Sequence, residues 1–369
     1  MKKRKASAIT ILLIIVALAA SCAKPQSQTQ TPSERESTYM RVEHTSSFSV
    51  EYLEDGAKLV IDAEGQEFLL VPRGNEPPEG HGSATLLFTP VERAVFFSIT
   101  QVGMVAHYEG LMDYVGGVTS DAGTWGNVAN IEQALASGKV KYIGSANTPD
   151  YELIQEINPE VAFVYTGPSG QTDVINMLTQ LGIPVAVDNE YMEESHEGRM
   201  EWTKFLASFF GYEEEALSYV DEQAGRLAQM EALVAGKEKP KVVWAMVYNG
   251  VVYSPGTDSF VARQVRAAGG EYLYFEGASS SQISLEEFYT ILADADIWMY
   301  SSNKNYVPSY KALAEMAPIV EDAQVLFSLK RPGRVCKPGS ASLSQYAPSV
   351  PWAASRDWFH LEKPQLKAL

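Results

Sequence analysis

From Val91 onward, strand-type segments alternate with segments of helical periodicity, and this alternation constrains the fold more than any other feature of the chain. Residues 93–98 and 161–165 are short apolar runs typical of buried strands, and each is followed by a stretch with apolar residues at helical spacing. Strands that alternate with helices form a mostly parallel sheet covered by helices on both faces. The sequence therefore predicts an α/β fold.

The longest helical section divides this pattern into two parts. Residues 202–210 have apolar side chains at helical spacing, and Gly211 indicates the end of that helix. A second helix is predicted from Glu213 to about Ala235, a length of roughly 35 Å. Strand-type patterns begin again at Lys241, where a single strand is predicted over residues 241–247. We therefore predict two α/β lobes joined by one long helix.

The N-terminus has the composition of a secretory signal. Residues 2–5 are basic, and residues 9–20 form an uncharged apolar run that is too short to span a bilayer comfortably. Small residues then precede Cys22, so the segment is similar to a bacterial lipoprotein box, although Leu18 lies one place further from the cysteine than is usual. We expect Cys22 to become the lipid-bearing first residue. The alternative is an ordinary secreted protein with an incidental cysteine.

A small β-structured region is predicted ahead of the first lobe. Three strand-type segments, residues 48–52, 58–61 and 67–71, are separated by Asp-Gly and Glu-Gly turn signals, which is typical of a β-meander. The predicted organisation is a signal peptide (1–21), a flexible tether (22–45), an N-terminal β extension (46–89), an N-terminal α/β lobe (90–211), an inter-lobe helix (212–237) and a C-terminal α/β lobe (238–369).

The charge balance and the cysteine count exclude several classes of protein. The chain has 29 basic and 46 acidic residues and a net charge of -17, whereas a protein that holds a nucleic-acid backbone needs a basic face. The two cysteines are Cys22 and Cys336, so lipidation of the first leaves the second without an intramolecular partner. We therefore expect no nucleic-acid partner and a fold without disulfide bonds.

Sequence motifs of catalysis and of metal binding are absent. The five histidines include no close pair, and the chain contains no HExxH, no paired CxxC, no GxSxG and no phosphate-binding GxxxxGK[ST] loop. The many carboxylates do not single out a general acid and base. We therefore expect no catalytic residue, no metal site and no cofactor.

Aromatic residues are frequent just after the predicted strands and in glycine-containing loops. In open α/β sheets, ligands lie beyond the carboxyl ends of the strands, and a cleft lined by aromatic rings suits a bulky, partly apolar ligand. For any single ring the alternative is packing in the core or at the rim. The candidate ligand contacts are Trp125, Tyr165, Tyr191, Tyr248, Tyr253 and Tyr300.

Four stretches of the chain share their patterns with one known family. They are residues 90–98, residues 142–162, residues 190–202 and the interval 255–298. Within the second stretch, the run PDYELIQEINPEVA is the most specific pattern. These stretches resemble the class III, helical-backbone substrate-binding lipoproteins of ABC importers, which are receptors for iron-siderophores, haem and cobalamin. Residues 336–369 depart from the usual closing helix of that family.

The resemblance implies a binding protein that works beside a membrane. Its cleft lies between the lobes and is largely pre-formed, because one stiff helix limits hinge motion. Its partners are an ABC permease and its ATPase, and it is a monomer held by its lipid anchor on the periplasmic or extracellular face of a membrane. By motif position, Glu152 and Glu286 are the residues that dock on the permease. The alternative is that each is a solvated glutamate near a helix N-terminus, and Glu287 lies beside the second.

The same resemblance guides the choice of ligand. Arg199 lies in the stretch typical of the iron-transport branch and is the predicted cationic contact, the alternative being a helix-surface ion pair with Glu194 or Glu201. Tyrosine oxygens suit the hard cation iron(III), and aromatic rings stack on haem or on catechols. We therefore expect capture of an iron(III)-siderophore complex and its delivery to the permease. The alternatives are a haem or cobalamin receptor of the same family, or a surface adhesion or scaffold protein that retains the fold.

Overall fold

The computed structural model describes residues 40–122, 125, 129–167, 170–248, 250–274 and 282–300, together with the backbone of residues 324–328 and 358–360. The described residues, all from Met40 onward, belong to one compact unit. The predicted signal peptide and Cys22 lie outside the described residues, as does Cys336. Among the described helices, none is both long enough and apolar enough to cross a bilayer.

The N-terminal β extension is a four-stranded sheet. Strands β1 (Ser49–Tyr52), β2 (Lys58–Ile61) and β3 (Glu67–Pro72) are antiparallel neighbours, as the meander pattern predicted. A fourth strand, β4 (Thr85–Thr89), pairs in parallel with β3 at the edge of the sheet. This strand was not predicted.

The N-terminal lobe is built on a five-stranded parallel sheet in the order β11-β10-β5-β6-β7. Its strands are β5 (Ala94–Phe96), β6 (Val115–Val118), β7 (Lys141–Tyr142), β10 (Val161–Val164) and β11 (Val185–Val187). A two-stranded ribbon, β8 (Gly144–Ser145) and β9 (Thr148–Pro149), follows β7. The alternation of the sequence thus produces the parallel sheet that it predicted.

Four helices connect these strands. They are α1 (Ile99–Val105), α2 (Ala129–Ser137), α3 (Tyr151–Ile157) and α4 (Thr172–Gln180). Short side chains cap two of them: Ser98 begins α1 with a capping box, and Asp150 accepts a hydrogen bond from the Leu153 N–H at the start of α3. Each cap fixes the turn that follows the carboxyl end of a strand or ribbon.

Two long helices link the lobes in sequence. Helix α5 (His196–Phe210) ends at Gly211, which adopts the left-handed conformation with φ 77°, and α6 (Glu213–Val234) begins two residues later. Helix α6 matches its predicted bounds closely, whereas α5 ends where predicted but begins at His196, six residues ahead of the apolar run at 202. Helix α6 packs against α5 and, further along, against a helix of the second lobe.

One hydrophobic core joins the extension to the N-terminal lobe. Helix α5 lies between the two sheets: Phe48 of the extension packs 4.7 Å from Trp202, and Phe163 of the parallel sheet packs 5.1 Å from Phe209, as distances between ring centroids. The cluster draws residues from both sheets and from α5: Phe48, Val60, Phe68, Leu70, Phe96, Phe163, Trp202, Phe205 and Phe209.

The C-terminal lobe contains a second mainly parallel sheet, in the order β15-β12-β17-β18-β19, and a small antiparallel sheet, β13-β14-β16. The strands are β12 (Lys241–Trp244), β13 (Met246–Tyr248), β14 (Val251–Tyr253), β15 (Glu271–Tyr272), β16 (Gln282–Ser284), β17 (Ile297–Tyr300), β18 (Gln324–Ser328) and β19 (Trp358–His360). The helices are α7 (Phe260–Ala267) and α8 (Leu285–Ala293).

One predicted strand of this lobe is wrong in its extent. Residues 241–247 were expected to form a single strand, but the chain leaves the parallel sheet at Ala245 and continues as β13 in the antiparallel sheet. The fully buried Ala245 explains the break, because its N–H donates to the Met299 carbonyl at 3.1 Å and its own carbonyl accepts the Trp298 indole N–H at 3.0 Å. These bonds hold the bend between the two sheets.

Candidate functional site

A cleft of about 470 Å³ lies where the two lobes approach each other. Residues 191–194 and Arg199 line it from the N-terminal lobe, and residues 256–260 and Tyr274 line it from the C-terminal lobe. The first group follows β11, so the cleft lies beyond a carboxyl end of the parallel sheet, where ligands bind in open α/β folds. The predicted location of the site, between the lobes, matches this cleft.

Tyr191 stands at the rim of the cleft in a 3₁₀ turn, Glu190–Met192. Its hydroxyl donates a hydrogen bond to the Thr166 carbonyl, and its ring meets that of Tyr165 edge to face with centroids 5.9 Å apart. Gly167 makes room for this arrangement, because a Cβ atom there would lie 2.2 Å from the Tyr191 hydroxyl oxygen and its φ is 102°. The structure therefore brings two of the predicted tyrosines together.

Arg199 is the cation of the cleft, and backbone carbonyls hold it. Its guanidinium donates to the Tyr191 carbonyl at 2.7 Å and to the Glu193 carbonyl at 2.9 Å, and its Cζ lies 3.6 Å from the ring centroid of Phe260. Burial lowers the pKa of Arg199 to about 10, while Glu190 and Glu193 act in the opposite direction. The side chain is therefore protonated at neutral pH.

Neither ion pair considered for Arg199 is formed. Glu194 instead pairs with Arg263 of the C-terminal lobe at 2.8 Å. Glu201 is fully buried and accepts hydrogen bonds from Lys204 and from the backbone N–H groups of residues 43–45. Both glutamates are therefore engaged with residues other than Arg199.

The two lobes touch through aromatic and charged side chains beside the cleft. Phe260, the first residue of α7, packs against Arg199 on one ring face and meets the His196 ring at 4.7 Å between centroids. The Arg263–Glu194 pair spans the same gap. Burial lowers the pKa of His196, which favours its neutral form in this contact. Sequence reasoning missed Phe260 and Tyr274, because no local pattern links them to residues 60 or more positions earlier.

Two buried carboxyl groups lie directly behind the cleft segment. Asp188 has no exposed surface, and Glu190 accepts a hydrogen bond from the Thr100 hydroxyl. Burial raises the pKa of both groups, and the two are close enough to influence each other. The Glu190 N–H donates to Asp188 at 3.1 Å. The sequence analysis missed this pair, although two acids directly after a buried strand are visible in the sequence.

The remaining predicted ligand contacts are placed differently. Trp125 is 2% exposed, packs in the core of the N-terminal lobe and donates its indole N–H to the Ser120 carbonyl at 3.0 Å, so its ring presents little surface to a ligand. Tyr253 lies half-buried on β14 and does not line the cleft described above. Tyr248 and Tyr300 end strands β13 and β17, and their side chains lie outside the described residues. Ligand contact by these residues stays a prediction.

The two candidate docking glutamates occupy equivalent positions. Glu152 and Glu286 are each the second residue of a helix, α3 in one lobe and α8 in the other, and both are exposed. Glu287 is engaged in a capping box, accepting hydrogen bonds from the N–H and hydroxyl of Ser284 at 2.9 and 2.8 Å, which lowers its pKa. Within the described parts of the chain, Glu286 has no such partner. Of the two neighbouring glutamates, Glu286 is therefore the one free to meet another protein.

The described residues contain no group of three or more His, Cys, Asp or Glu side chains placed to hold a metal ion. The cleft is instead made of rings, one guanidinium and peripheral carboxylates. Such a surface binds a ligand by shape, stacking and charge.

Comparison with known proteins places the chain among extracytoplasmic solute receptors. Residues 107–317 match the family model described as periplasmic binding protein. An uncharacterized lipoprotein of Methanocaldococcus jannaschii is 31% identical over 269 residues, which cover 69% of this chain and 64% of the relative. A second lipoprotein of that organism is 26% identical over 272 residues, covering 68% of this chain and 66% of the relative. The chain thus spans slightly less than two thirds of the length of either relative.

Solved structures share the fold at low sequence identity. A periplasmic binding protein from Veillonella parvula superposes with a TM-score of 0.52 at 16% identity, covering 84% of this chain and 98% of that one. Petrobactin-binding protein YclQ from Bacillus subtilis gives 0.52 at 13% identity, covering 76% and 89%. The family consists of solute-binding proteins, not enzymes. The resemblance drawn from the sequence is confirmed at the level of the family: the chain belongs to the periplasmic binding protein family.

Proposed function

We propose that this protein captures an iron(III)-siderophore complex in the cleft between its lobes and delivers it to the permease of an ABC importer. The observation on which the proposal depends is the cleft itself, in which Tyr191, Phe260 and Tyr274 surround the protonated Arg199. Ferric chelates of this class are bulky, partly apolar and often anionic. Aromatic walls supply contact area for such a ligand, and the guanidinium supplies charge.

The charge distribution around the cleft narrows the choice of ligand. The protein as a whole is strongly acidic, and Glu193, Glu194 and Asp258 also line the cleft. Arg263 is turned toward Glu194, which leaves Arg199 as the cation that meets a ligand in the described cleft. A single guanidinium against this acidic background favours a chelate of low negative charge over a highly charged anion.

Binding measurements with the full-length protein test the ligand class. We expect a ferric trihydroxamate to bind and hemin and cyanocobalamin not to bind, measured by isothermal titration calorimetry and native mass spectrometry. Binding of hemin or cyanocobalamin alone would establish the alternative receptor function. No binding of any of the three, or of a ferric catecholate, would favour an adhesion or scaffold role.

A pair of matched variants tests the role of the guanidinium. Arg199→Met removes the cation of the cleft, whereas Arg226→Met removes an exposed cation that pairs with Glu222 on α6. We expect the first to weaken ferric-chelate binding about tenfold, since a hydrogen bond to a charged group contributes about 1.5–3 kcal/mol. The second variant has the same net charge as the first, and we expect it to bind the chelate as the unmodified protein does. Equal affinities for the two variants would remove Arg199 from the ligand site.

Delivery requires that the receptor meet its permease in one orientation. We propose that Glu152 and Glu286, exposed on helix starts of different lobes, pair with basic residues of the permease and so align the cleft over the translocation pathway. An ATPase bound to the permease drives the import. We propose that the receptor acts as a monomer, since each chain carries both docking carboxylates.

Membrane attachment completes the proposal. Cys22, preceded by basic, apolar and small residues, becomes the lipid-bearing residue and holds the protein at the periplasmic or extracellular face of a membrane. That two relatives are named lipoproteins supports this assignment. We expect the Cys22→Ser variant to lose its lipid label and to leave the membrane fraction. A variant that stays membrane-bound with its label would contradict it.

A further inference from the structure

The segment that lines the cleft from the N-terminal lobe is held at one end by the N-terminal β extension and at the other by Thr45, directly ahead of that extension. We call residues 188–194 the cleft segment; it contains Tyr191 and supplies both carbonyls that hold Arg199. Three contacts reach this segment or the residues that support it: two come from the turn between β2 and β3, and one comes from Thr45, which lies ahead of β1 at the end of the segment predicted as a tether. These contacts join parts of the chain that are more than 100 residues apart.

The first contact secures the strand from which the cleft segment leaves. Strand β11 is the edge of the parallel sheet, and the Val187 N–H donates to the Asp62 carboxylate at 2.8 Å. The Ala63 N–H donates in turn to the Val187 carbonyl at 3.3 Å. Asp62 also accepts the N–H groups of Glu64 and Gln66, both at 2.9 Å, so the turn itself is internally fixed. The edge strand is therefore paired up to its last residue.

The second contact runs from this turn to Tyr191. The Thr166 hydroxyl donates to the Glu64 carboxylate and accepts from the Asn189 side-chain amide at 2.8 Å. The Thr166 N–H donates back to Asn189 at 2.9 Å, and the Thr166 carbonyl accepts the Tyr191 hydroxyl. Glu64 thereby fixes the direction of the Thr166 hydroxyl, and with it the residue on which Tyr191 rests.

The third contact holds the far end of the cleft segment. The Thr45 hydroxyl and the Trp202 indole N–H both donate to the Glu193 carboxylate, the second at 3.1 Å. The carbonyl of that same Glu193 accepts the Arg199 Nε–H at 2.9 Å. A shift of the Glu193 side chain would therefore move an acceptor that orients Arg199.

We propose that the N-terminal β extension, together with Thr45 directly ahead of it, is a positioning element of the ligand site, in which Glu64 and Thr45 fix the cleft segment so that Tyr191 and Arg199 are pre-ordered for the ligand. The assignment rests on the proposed function, since it concerns the same cleft. Ordering these side chains before binding removes part of the entropy cost that a ligand would otherwise meet. Glu64 and Thr45 need no contact with the ligand for this role.

Amide hydrogen exchange of the full-length protein tests the positioning without any ligand. The amides of Met192 and Glu193 are hydrogen-bonded within the cleft segment, to the carbonyls of Asn189 and Glu190 at 2.9 and 3.2 Å. We expect Glu64→Ala and Thr45→Val each to speed exchange of the cleft segment about fivefold, the effect of losing one hydrogen bond of ordinary strength. Glu64→Gln and Thr45→Ser keep the acceptor and the donor, and we expect both to restore slow exchange.

Glu51→Ala supplies the matched control, because Glu51 is exposed on β1 of the same sheet. We expect it to leave exchange of the cleft segment unchanged. Unchanged exchange in both Glu64→Ala and Thr45→Val would overturn the proposal. So would a uniform rise that includes strands β5 and β10, because that result would mean a general loss of stability.

A ligand measurement separates this proposal from the proposed function. With a ferric trihydroxamate as the probe, we expect Glu64→Ala to weaken binding about fivefold and Glu64→Gln to bind as the unmodified protein does. If the unmodified protein binds no ferric chelate, the proposed function fails while the exchange result still decides the positioning role. If the unmodified protein binds and Glu64→Ala binds equally well, the positioning role fails alone.

Discussion

Helices α5 and α6 follow one another in the chain and have opposite environments. Twelve of the 15 residues of α5 are buried, whereas three of the 22 residues of α6 are. Helix α5 lies between two sheets and carries His196 and Arg199 at its cleft end, while α6 is covered along one narrow side. Helix α5 therefore supports the cleft residues from the core, whereas α6 connects the two lobes in sequence.

The buried position of α5 requires partners for the charged groups that it carries. Glu201 and Lys204 are buried together on α5 with 2.9 Å between their charged atoms, and Lys204 also donates to the Arg41 carbonyl. The ion pair of α6, Glu222 with Arg226, is about half exposed on both sides. Removing one partner of a buried ion pair therefore lowers the free energy of unfolding far more than removing one partner of an exposed pair.

The largest predicted effect compares apolar side chains on the two helices. Phe205 is fully buried on α5, with the Phe48 and Trp202 rings 5.4 and 5.2 Å away, so Phe205→Ala removes a side chain shared by both sheets. We expect it to lower the free energy of unfolding by about 4 kcal/mol, and Leu233→Ala on exposed α6 to lower it by about 0.5 kcal/mol or less. Urea denaturation followed by circular dichroism measures both. Similar losses would mean that α5 is not the central frame.

The second prediction compares the two ion pairs. Glu201→Ala leaves Lys204 buried without its carboxylate and frees the backbone N–H groups of residues 43–45, so we expect a loss of about 3 kcal/mol in the free energy of unfolding. Glu222→Ala on α6 should cost about 0.5 kcal/mol or less. The same denaturation assay decides the comparison. A small loss in Glu201→Ala would show that water replaces the carboxylate.

Much of this architecture is encoded locally and was predicted. The three strands of the meander, strands β5 and β10 of the parallel sheet and both long helices follow from period, turn residues and the glycine at 211, all of which act within a few residues. Strand β4 was missed because its run of apolar residues lacks alternation and follows a proline-rich loop. The hairpin between β13 and β14 was missed although Asn-Gly is a strong turn signal, with Gly250 at φ 76°.

The composition of the site was predicted less well than its location. Tyr191 and Arg199 line the cleft as expected, whereas Trp125 fills the core, because a ring after a strand packs inward or outward according to tertiary neighbours that the local sequence does not specify. The contact of Arg199 with Phe260 and the bond from Thr166 to Glu64 each join distant parts of the chain. Such contacts form only when segments far apart in the sequence have folded together, so local sequence patterns do not predict them.

A third prediction concerns pH and the buried carboxyl behind the cleft. Burial raises the pKa of Asp188, so the folded protein holds a proton at pH values where the unfolded chain, with a pKa of about 3.9, has released it. The contribution of Asp188 to the free energy of unfolding therefore falls as the pH rises from the unfolded-state pKa toward the raised pKa of the folded state. Asp188→Asn mimics the protonated form, and we expect it to gain stability over the unmodified protein as pH rises from 4.5 to 7.5.

Asp221→Asn on the exposed side of α6 is the control for this experiment. We expect its stability, relative to the unmodified protein, to stay nearly constant across the same pH range. Denaturation at several pH values measures both variants. If the advantage of Asp188→Asn does not grow with pH, the carboxyl is ionised in the folded protein and a neighbouring group compensates its charge.

The fourth prediction has the smallest effect on stability and the clearest effect on transport. Glu152 and Glu286 each lie at the second position of a helix, one in each lobe, and both are exposed. Exposed ion pairs are each worth about 1 kcal/mol or less, so single neutral substitutions at these positions should leave uptake nearly unchanged. Reversal of both charges adds repulsion to each contact. We expect Glu152→Arg combined with Glu286→Arg to fold and bind ferric chelate normally and to abolish uptake.

The neighbouring Glu287 supplies the control for this double reversal. Its carboxylate is engaged with Ser284, so Glu287→Gln changes the charge beside Glu286 while keeping an acceptor for the cap. We expect Glu152→Arg with Glu287→Gln to retain most uptake, because Glu286 still meets its partner. Uptake assays at low and high salt add a second measure, since screening over about 10 Å at 0.1 M weakens exposed pairs. Normal uptake by the Glu152→Arg, Glu286→Arg protein at equal abundance would exclude docking through these two residues, and lost chelate binding would place them in the ligand site instead.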